Sequence, residues 1–280
     1  MRHCDVPAAS RPVVGLARAC HPLPSLAVAA VVALLAATAG RDGRGVALTF
    51  AAVLVGQLSV GWANDAVDAS RDIAAGRTDK PVVAGLVDAR TVRRAAVAAL
   101  AVAVVMSYVA AGPVGGSAHV VALASAWAYD LGVKSTRWSF LPFAVSFGLL
   151  PAFVTYGLTP PAAPAPWVTA GAALLGVGAH LANAVPDLER DRADGSAGVV
   201  DGLGRGPAVG VALGCVLLAV LLVLPQLALP WPALVAVVLV GAGVIAVGLA
   251  GKGQALFRAV VVLAVLAVAG MLLAGTAVIA

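Results

Sequence analysis

The chain has 280 residues, of which 61% are hydrophobic and only 11% charged, and its mean hydropathy is +1.01. Soluble domains usually carry about a quarter of charged residues, so this composition excludes a soluble globular protein and indicates a membrane protein. The cysteines Cys4, Cys20 and Cys215 have neither paired nor metal-ligand spacing, and membrane topology explains the net charge of +5 better than nucleic-acid binding does.

Apolar stretches rich in Ala, Val, Leu and Gly recur along the chain, each near the roughly 20 residues that a membrane-spanning helix needs. They lack the ten-residue alternation of an outer-membrane barrel. The sequence therefore predicts an all-α, polytopic membrane protein that forms a single domain over residues 1–280. About nine spans are predicted, at residues 24–40, 46–63, 91–111, 116–130, 139–157, 165–183, 207–228, 231–250 and 257–280.

Basic residues are unevenly distributed between the two sides of this predicted topology. If the N-terminus is inside, only Arg41 and Arg44 lie outside, and the other sixteen of the 18 lysines and arginines lie inside. This bias predicts a cytoplasmic N-terminus in the plasma or inner membrane. Of the acidic residues only Asp42 is placed outside, so we expect any chemistry at the cytoplasmic face.

Two acidic clusters, at residues 64–72 and 183–191, follow the second and sixth predicted spans. They are related by a constant offset of 119 residues, which pairs Asn64 with Asn183, Asp68 with Asp187, Arg71 with Arg190, Asp72 with Asp191, Gly76 with Gly195 and Gly85 with Gly204. Because the two spans are four helices apart, the copies run in the same direction across the membrane. We expect them to lie side by side at one face.

Asn64, Asp68 and Asp72 are spaced four residues apart, so one face of a continuous helix carries all three, and the same is expected of the second cluster. Two carboxylates stacked at 4 Å repel by about 4 kcal/mol at an effective dielectric of 20, which indicates that a cation binds there. Oxygen ligands of this kind suit Mg²⁺ that bridges carboxylates to substrate phosphates. The basic residues available for the phosphate oxygens are Arg71, Arg77, Lys80, Lys134, Arg137, Arg190 and Arg192.

Several segments match one family pattern. They are Asn64-Asp65-x-x-Asp68-x-x-x-Asp72 followed by Lys80-Pro81 and Gly85, Tyr129 to Lys134, Asp187-x-x-x-Asp191 with Gly195, and Arg18-x-x-His21-Pro22. Together they resemble the signatures of the UbiA superfamily of intramembrane prenyltransferases, over nearly the whole chain. The sequence departs from that pattern at Lys80, where arginine is commoner, at His21, where Arg or Lys is common, and after Gly195, where no threonine follows in 196–206.

The resemblance implies a bundle of nine helices with a central cavity that opens to the cytoplasm. It also implies Mg²⁺-dependent transfer of a prenyl group from a polyprenyl diphosphate to a small, aromatic acceptor. The implied metal ligands and catalytic residues are Asp68, Asp72, Asp187 and Asp191, with Asp65 as a further metal ligand. The implied substrate-binding residues are Asn64, Arg71, Arg77, Lys80, Tyr129, Lys134, Arg137, Asn183 and, for the acceptor, Arg18.

The sequence is also compatible with other functions. A prenyl diphosphate cyclase with the same fold shares the acidic motifs, and phosphoribose or glycerol phosphate are acceptors of some family members. A membrane transporter is the main alternative of another class, and it fits less well because no charged residue lies in the middle of a predicted span. His119 and His180 are solitary on apolar helices, where hydrogen-bonded packing explains them.

Overall fold

A computed structural model describes residues 10–193, 198–250 and 254–280, and within these ranges the chain is helical, with no β-strand. The helices are α1 (Arg11–Ala19), α2 (Pro22–Thr38), α3 (Gly43–Ala74), α4 (Ala89–Leu131), α5 (Leu141–Gly148), α6 (Leu150–Thr155), α7 (Pro166–Ala184), α8 (Leu188–Ala193), α9 (Val199–Leu203), α10 (Arg205–Val223), α11 (Trp231–Ala250) and α12 (Gln254–Leu273). The all-α prediction is therefore confirmed for the described part of the chain.

Helix α3 carries the whole first acidic cluster on one unbroken helix. It begins after Asp42, whose carboxylate accepts a hydrogen bond from the Gly45 amide at 2.7 Å and so caps the helix N-terminus. It continues for 32 residues, through the apolar part and then through residues 64–72. The direction in which Asn64 and Asp68 point is therefore set by the way α3 packs in the bundle.

Helix α4 is a hairpin of two helical segments that reverse at Gly112. Ala111 and Gly112 have non-helical backbone angles, and the φ of Gly112 is +63°, a value that glycine adopts readily. The next residue, Pro113, has no amide hydrogen to continue the first helical segment. Across the reversal, the Ser107 hydroxyl lies 2.7 Å from Nδ1 of His119. The predicted stretches 91–111 and 116–130 thus correspond to the two arms of this hairpin.

The helices pack in a closed arrangement. Helix α3 packs on α2 and on α4, α4 packs on α5, α5 on α7, α7 on α10, and α10 on α12, which in turn contacts α2. Small residues allow close approach at these interfaces, since a Cβ at Gly176 in α7 would lie 2.5 Å from the Phe143 carbonyl oxygen in α5. Helix α11 packs mainly on α12.

Three helical stretches in the described ranges are long and apolar enough to cross a membrane: Gly43–Ala74, the hairpin Ala89–Leu131, and Arg205–Leu227, which is α10 with the 3-10 turn that follows it. A fourth crossing is reached if α1 and α2, which meet at a bend of 55°, count as one span. Leu141–Thr155 and Arg258–Leu273 are apolar but shorter. The chain is thus a multi-pass membrane protein, but the predicted count of nine spans is not confirmed.

The prediction of one continuous helix face for Asn183, Asp187 and Asp191 is wrong. Helix α7 ends at Ala184, residues 185–187 form a turn, and α8 starts at Leu188. Pro186 explains the break, because proline lacks the amide hydrogen that an uninterrupted helix needs at that position. Asp187 therefore lies in a turn between two helices, unlike its counterpart Asp68.

Candidate functional site

A polar cavity of about 200 Å³ lies at the end of the bundle where α3, the second arm of α4 and α7 finish. The turn after α4 and the segment that starts α9 complete its wall. The lining residues are Asn64, Asp68, Arg71, Arg77, Tyr129, Lys134, Ser139, His180, Ala184, Asp187, Leu188, Gly198, Val199 and Val200. One carboxylate from each acidic cluster, Asp68 and Asp187, thus faces the same cavity.

Asp68 is paired with two cationic side chains. Both of its oxygens accept hydrogen bonds from Nζ of Lys134, each at 2.7 Å, and Arg71, one helical turn further along α3, also contacts it. Lys134 is largely buried in the short turn after α4. Two cations from different elements therefore meet one carboxylate at the cavity wall, where a doubly charged anion can also bind them.

Asp65 does not line the cavity, because it follows Asn64 by one residue and so points about 100° away around the helix. It is 2% exposed, and its Oδ1 accepts a hydrogen bond from Nζ of Lys80 at 2.6 Å and lies 3.2 Å from Nε2 of His21. The Asp65–Lys80 pair joins α3 to the loop after it, and His21 ties both to the bend between α1 and α2. Lys80 accordingly lies outside the cavity wall as well.

Asp72 is buried and also lies behind the cavity wall. Nη1 of Arg77 donates to its carboxylate at 3.3 Å, while Nη2 of Arg77 donates to Asp79 at 3.1 Å. Slight burial opposes ionisation of Asp79, but the hydrogen bond and charge of Arg77 outweigh it and lower the pKa of that carboxyl below its ordinary value. Arg77 is thus fixed by two carboxylates while it lines the cavity.

The second cluster contributes Asp187, from the turn between α7 and α8. Asn183 is exposed and is not among the lining residues. The side chains of Arg190 and Asp191 lie outside the described part of the structure. Arg18 and Arg137 are exposed and also do not line the cavity, and the Arg137 guanidinium lies 5.1 Å from the centre of the Trp138 ring.

A buried network at the cavity wall includes Ser139, which sequence reasoning missed, and His180, which it assigned to packing. Oγ of Ser139 lies 3.0 Å from Nε2 of His180 and accepts a hydrogen bond from the Val199 amide at 3.1 Å. Because that hydroxyl accepts from Val199, its own proton is available to His180. Gly198 packs beside the network, close to the Lys134 carbonyl oxygen. The segment after the second cluster is thereby fastened to the turn that carries Lys134.

Three aromatic rings contact one another at the wall of the polar cavity, which Tyr129 and His180 line. His180 stacks on Phe143 with ring centres 4.7 Å apart, and Tyr129 meets both rings edge-on, at 5.6 Å and 5.0 Å respectively. Phe143 also stacks on Phe147, with ring centres 6.3 Å apart, and Phe147 lines a second cavity of about 240 Å³. This cavity is lined by apolar side chains of α2, α5, α6, α7 and α12, among them Ala179, the residue before His180. A polar and an apolar cavity thus adjoin along α7.

Among the described residues, no group of three His, Cys, Asp or Glu side chains lies close enough to hold a metal ion alone. The polar cavity instead combines the carboxylates of Asp68 and Asp187 and the amide of Asn64 with three cationic side chains. Such a set can bind a polyanion together with a divalent cation, because the anion supplies the remaining oxygen ligands.

Comparison with known proteins gives one family. The model of the UbiA prenyltransferase family matches residues 25–252. Among the curated proteins with which the sequence was compared, none matches it significantly.

Several solved structures, two of them UbiA homologs, have the same fold. A UbiA homolog from Archaeoglobus fulgidus bound to DMAPP and Mg²⁺ superposes with a TM-score of 0.67 at 16% identity, over 92% of this chain and 97% of that chain. The apo UbiA homolog from Aeropyrum pernix K1 gives a TM-score of 0.64 at 23% identity, over 90% and 97% of the two chains. A digeranylgeranylglyceryl phosphate synthase gives 0.65 at 15% identity, over 95% and 98%.

Proposed function

Because the chain belongs to the UbiA prenyltransferase family, we propose that it transfers a prenyl group from a polyprenyl diphosphate to a small acceptor in the membrane, with Mg²⁺ as cofactor. The observation that carries this proposal is the polar cavity. There Asp68 and Asp187 come together from the two halves of the chain, and the cations that accompany them are Arg71, Arg77 and Lys134.

The residues of the cavity fit Mg²⁺ better than a metal that needs a complete protein cage. Mg²⁺ is usually held by one or two carboxylates, waters and substrate phosphates, which agrees with a cavity that offers two carboxylates and an amide. Asp68 and Asp187 are the proposed ligands, with Asp191 as a further one from the second cluster. Mg²⁺, when bound, neutralises part of the negative charge on the departing diphosphate.

The chain's own cations act on the same diphosphate. Lys134 and Arg71, which contact Asp68, and Arg77, held by Asp72, present their donors to the cavity. They bind the phosphate oxygens and stabilise the charge that develops as the bond from the allylic carbon to oxygen breaks. Asp65 and Asp72 support these positions from behind the cavity wall.

The prenyl tail is proposed to occupy the apolar cavity. Ala179 lines that cavity and the adjacent His180 lines the polar one, so a substrate with a charged head and an apolar tail can occupy both. The rings of Tyr129 and Phe143 lie between the two, where their π-faces favour the positive charge of an allylic cation. Burial of the tail removes apolar surface from contact with water and holds the reactive carbon near the acceptor.

The proposed function also includes the class of acceptor and the side of the membrane on which the cavity lies. The acceptor is proposed to be a small aromatic compound, and the polar cavity to face the cytoplasm of the cell, as the distribution of basic residues predicts. A cyclase is the second candidate, and the aromatic layer of Tyr129, Phe143 and His180 favours it equally, because such rings also stabilise the cations of a cyclisation.

The test is an assay of prenyl transfer by the purified protein in lipid or detergent. Labelled geranyl, geranylgeranyl and longer diphosphates are offered with a panel of aromatic and phosphate-bearing acceptors, in Mg²⁺ or in EDTA. Asp68→Ala and Asp187→Ala are compared with Asp201→Ala, an exposed carboxylate that pairs with Arg192 outside the cavity wall. All three variants must be shown to be folded by thermal unfolding.

Mg²⁺-dependent product that the two cavity variants lose and Asp201→Ala retains supports the transferase. Release of diphosphate with a cyclic hydrocarbon and without acceptor identifies a cyclase. If folded protein neither binds nor consumes any of the prenyl diphosphates, the proposed function is wrong.

A further inference from the structure

Asp130 is a buried carboxylate directly behind the polar cavity. It is the penultimate residue of α4 and is 2% exposed, and it is not among the residues that line the cavity. Nδ2 of Asn64 donates a hydrogen bond to its Oδ1 at 3.0 Å. Its Oδ2 is buried and has no hydrogen-bond partner among the described residues.

This hydrogen bond determines which way the Asn64 amide points. An ionised carboxylate accepts hydrogen bonds and donates none, so the NH₂ group of Asn64, and not its carbonyl oxygen, must face Asp130. The carbonyl and NH₂ groups of a side-chain amide diverge by about 120°, so both cannot face the same neighbour. Asn64 is half-buried and lines the cavity, and with its NH₂ group on Asp130 its Oδ1 is the amide atom left for the cavity that Asp68 also lines.

We propose that Asp130 is a positioning residue that turns the carbonyl oxygen of Asn64 into the cavity, where this oxygen binds the divalent cation beside Asp68. The inference rests on the proposed function, since the cation is the one that accompanies the diphosphate. A carbonyl oxygen is a suitable ligand for a hard cation, whereas an NH₂ group in the same place repels it. The orientation of Asn64 thus decides whether the side chain attracts or opposes the metal.

The burial of Asp130 supports a role in orienting Asn64. A carboxylate removed from water is costly, and a single hydrogen bond from an uncharged amide offsets only part of that cost. An asparagine at position 130 would avoid the charge, but it offers either a carbonyl or an NH₂ group to its neighbour and therefore does not fix the orientation of Asn64. Among residues of this size, aspartate alone imposes one orientation.

The experiment measures binding of Mn²⁺, used as a paramagnetic probe for the Mg²⁺ site, by electron paramagnetic resonance in the presence of inorganic diphosphate. The variants are Asp130→Leu, Asn64→Ala and the double variant, and the melting temperature of each is recorded without metal. Asp130→Asn is added because it keeps the volume of the side chain and a hydrogen bond to Asn64 but permits both amide orientations. It also serves if Asp130→Leu does not fold.

We expect Asp130→Leu to weaken Mn²⁺ binding by about tenfold or more, the loss typical of residues that orient metal ligands, and Asp130→Asn to weaken it less. In the Asn64→Ala background, Asp130→Leu should cause no further loss of affinity, because its partner is already absent. Unchanged Mn²⁺ affinity in folded Asp130→Leu and Asp130→Asn overturns the inference, and so does an equal loss with and without Asn64. If the unmodified protein does not bind Mn²⁺ with diphosphate, the proposed function itself fails and the inference with it.

Discussion

The packing of Gly198 provides the sharpest test of how the cavity wall is built. A Cβ at this position would lie 2.5 Å from the Lys134 carbonyl oxygen and 2.8 Å from Oγ of Ser139, both closer than atoms in van der Waals contact. The φ of Gly198 is −94°, so space and not a left-handed backbone is what limits the residue. Gly198→Ala must therefore push the start of α9 away from the turn that carries Lys134.

The expected cost of Gly198→Ala is about 1–3 kcal/mol, the usual range for an added methylene in a tightly packed place. Displacement of the segment also breaks the hydrogen bond from the Val199 amide to Ser139, which is worth about 1 kcal/mol. A change of 2 kcal/mol shifts an equilibrium between docked and displaced segments by about 30-fold. We expect a lower melting temperature and a higher KM for the prenyl diphosphate.

The matched control is Gly202→Ala, four residues further along in α9, where an added Cβ has no neighbour within 4 Å. Alanine is favoured over glycine inside a helix by about 0.5–1 kcal/mol, so this variant should be at least as stable as the unmodified protein. Thermal unfolding in detergent and the KM of both variants are measured together. If Gly198→Ala behaves like Gly202→Ala in both measurements, the packing of Gly198 against Lys134 and Ser139 does not hold in the protein.

Three further substitutions test single interactions. Lys80→Met leaves the buried carboxylate of Asp65 without its closest cation and should lower the free energy of unfolding, measured by chemical denaturation, by about 3–5 kcal/mol. Combining it with Asp65→Leu should restore much of that loss. If Lys80→Met alone causes no loss, the ion pair does not stabilise the protein. Asp187→Asn keeps the shape of the side chain but removes its charge, so the Mg²⁺ concentration for half-maximal transfer should rise by at least about tenfold. If that concentration does not change, Asp187 is not a metal ligand. His180→Phe keeps a ring but loses the nitrogen that accepts from Ser139, so the melting temperature should fall by an amount equivalent to about 1 kcal/mol. An unchanged melting temperature would show that this hydrogen bond does not stabilise the protein.

Composition and spacing predicted the helical, membrane-spanning class because apolar runs of this length have few alternatives. The first acidic cluster was predictable in part, since positions four apart share a face on any continuous helix and Asn64 and Asp68 line the cavity, whereas Asp72 lies behind the cavity wall. The number of crossings did not follow as reliably. The length of an apolar stretch does not determine whether the folded helix is continuous, and the predicted span 139–157 forms two short helices, Leu141–Gly148 and Leu150–Thr155.

The site was only partly predictable because long-range contacts decide which side chains meet. The break in the second cluster had a local signal, Pro186, which the repeat pattern obscured. The partners of Asp65 had none, since His21 and Lys80 are 44 and 15 residues away in sequence. Asp130 had no local signal either, because its contact with Asn64 depends on how α3 packs on α4.

The charge pairs of the cavity bear on how a highly charged substrate enters a membrane-embedded site. Asp68 is paired with Lys134 and Arg71 at the cavity wall. Moving a single unpaired charge into a poorly solvated cavity costs much desolvation free energy. When a charge instead exchanges one partner of opposite sign for another, it stays paired and that cost is smaller. Under the proposed function, Lys134 and Arg71 would exchange the Asp68 carboxylate for phosphate oxygens, and Asp68 would be among the residues that hold Mg²⁺. Because each charge keeps a partner of opposite sign, such an exchange lowers the cost of bringing a diphosphate into the cavity.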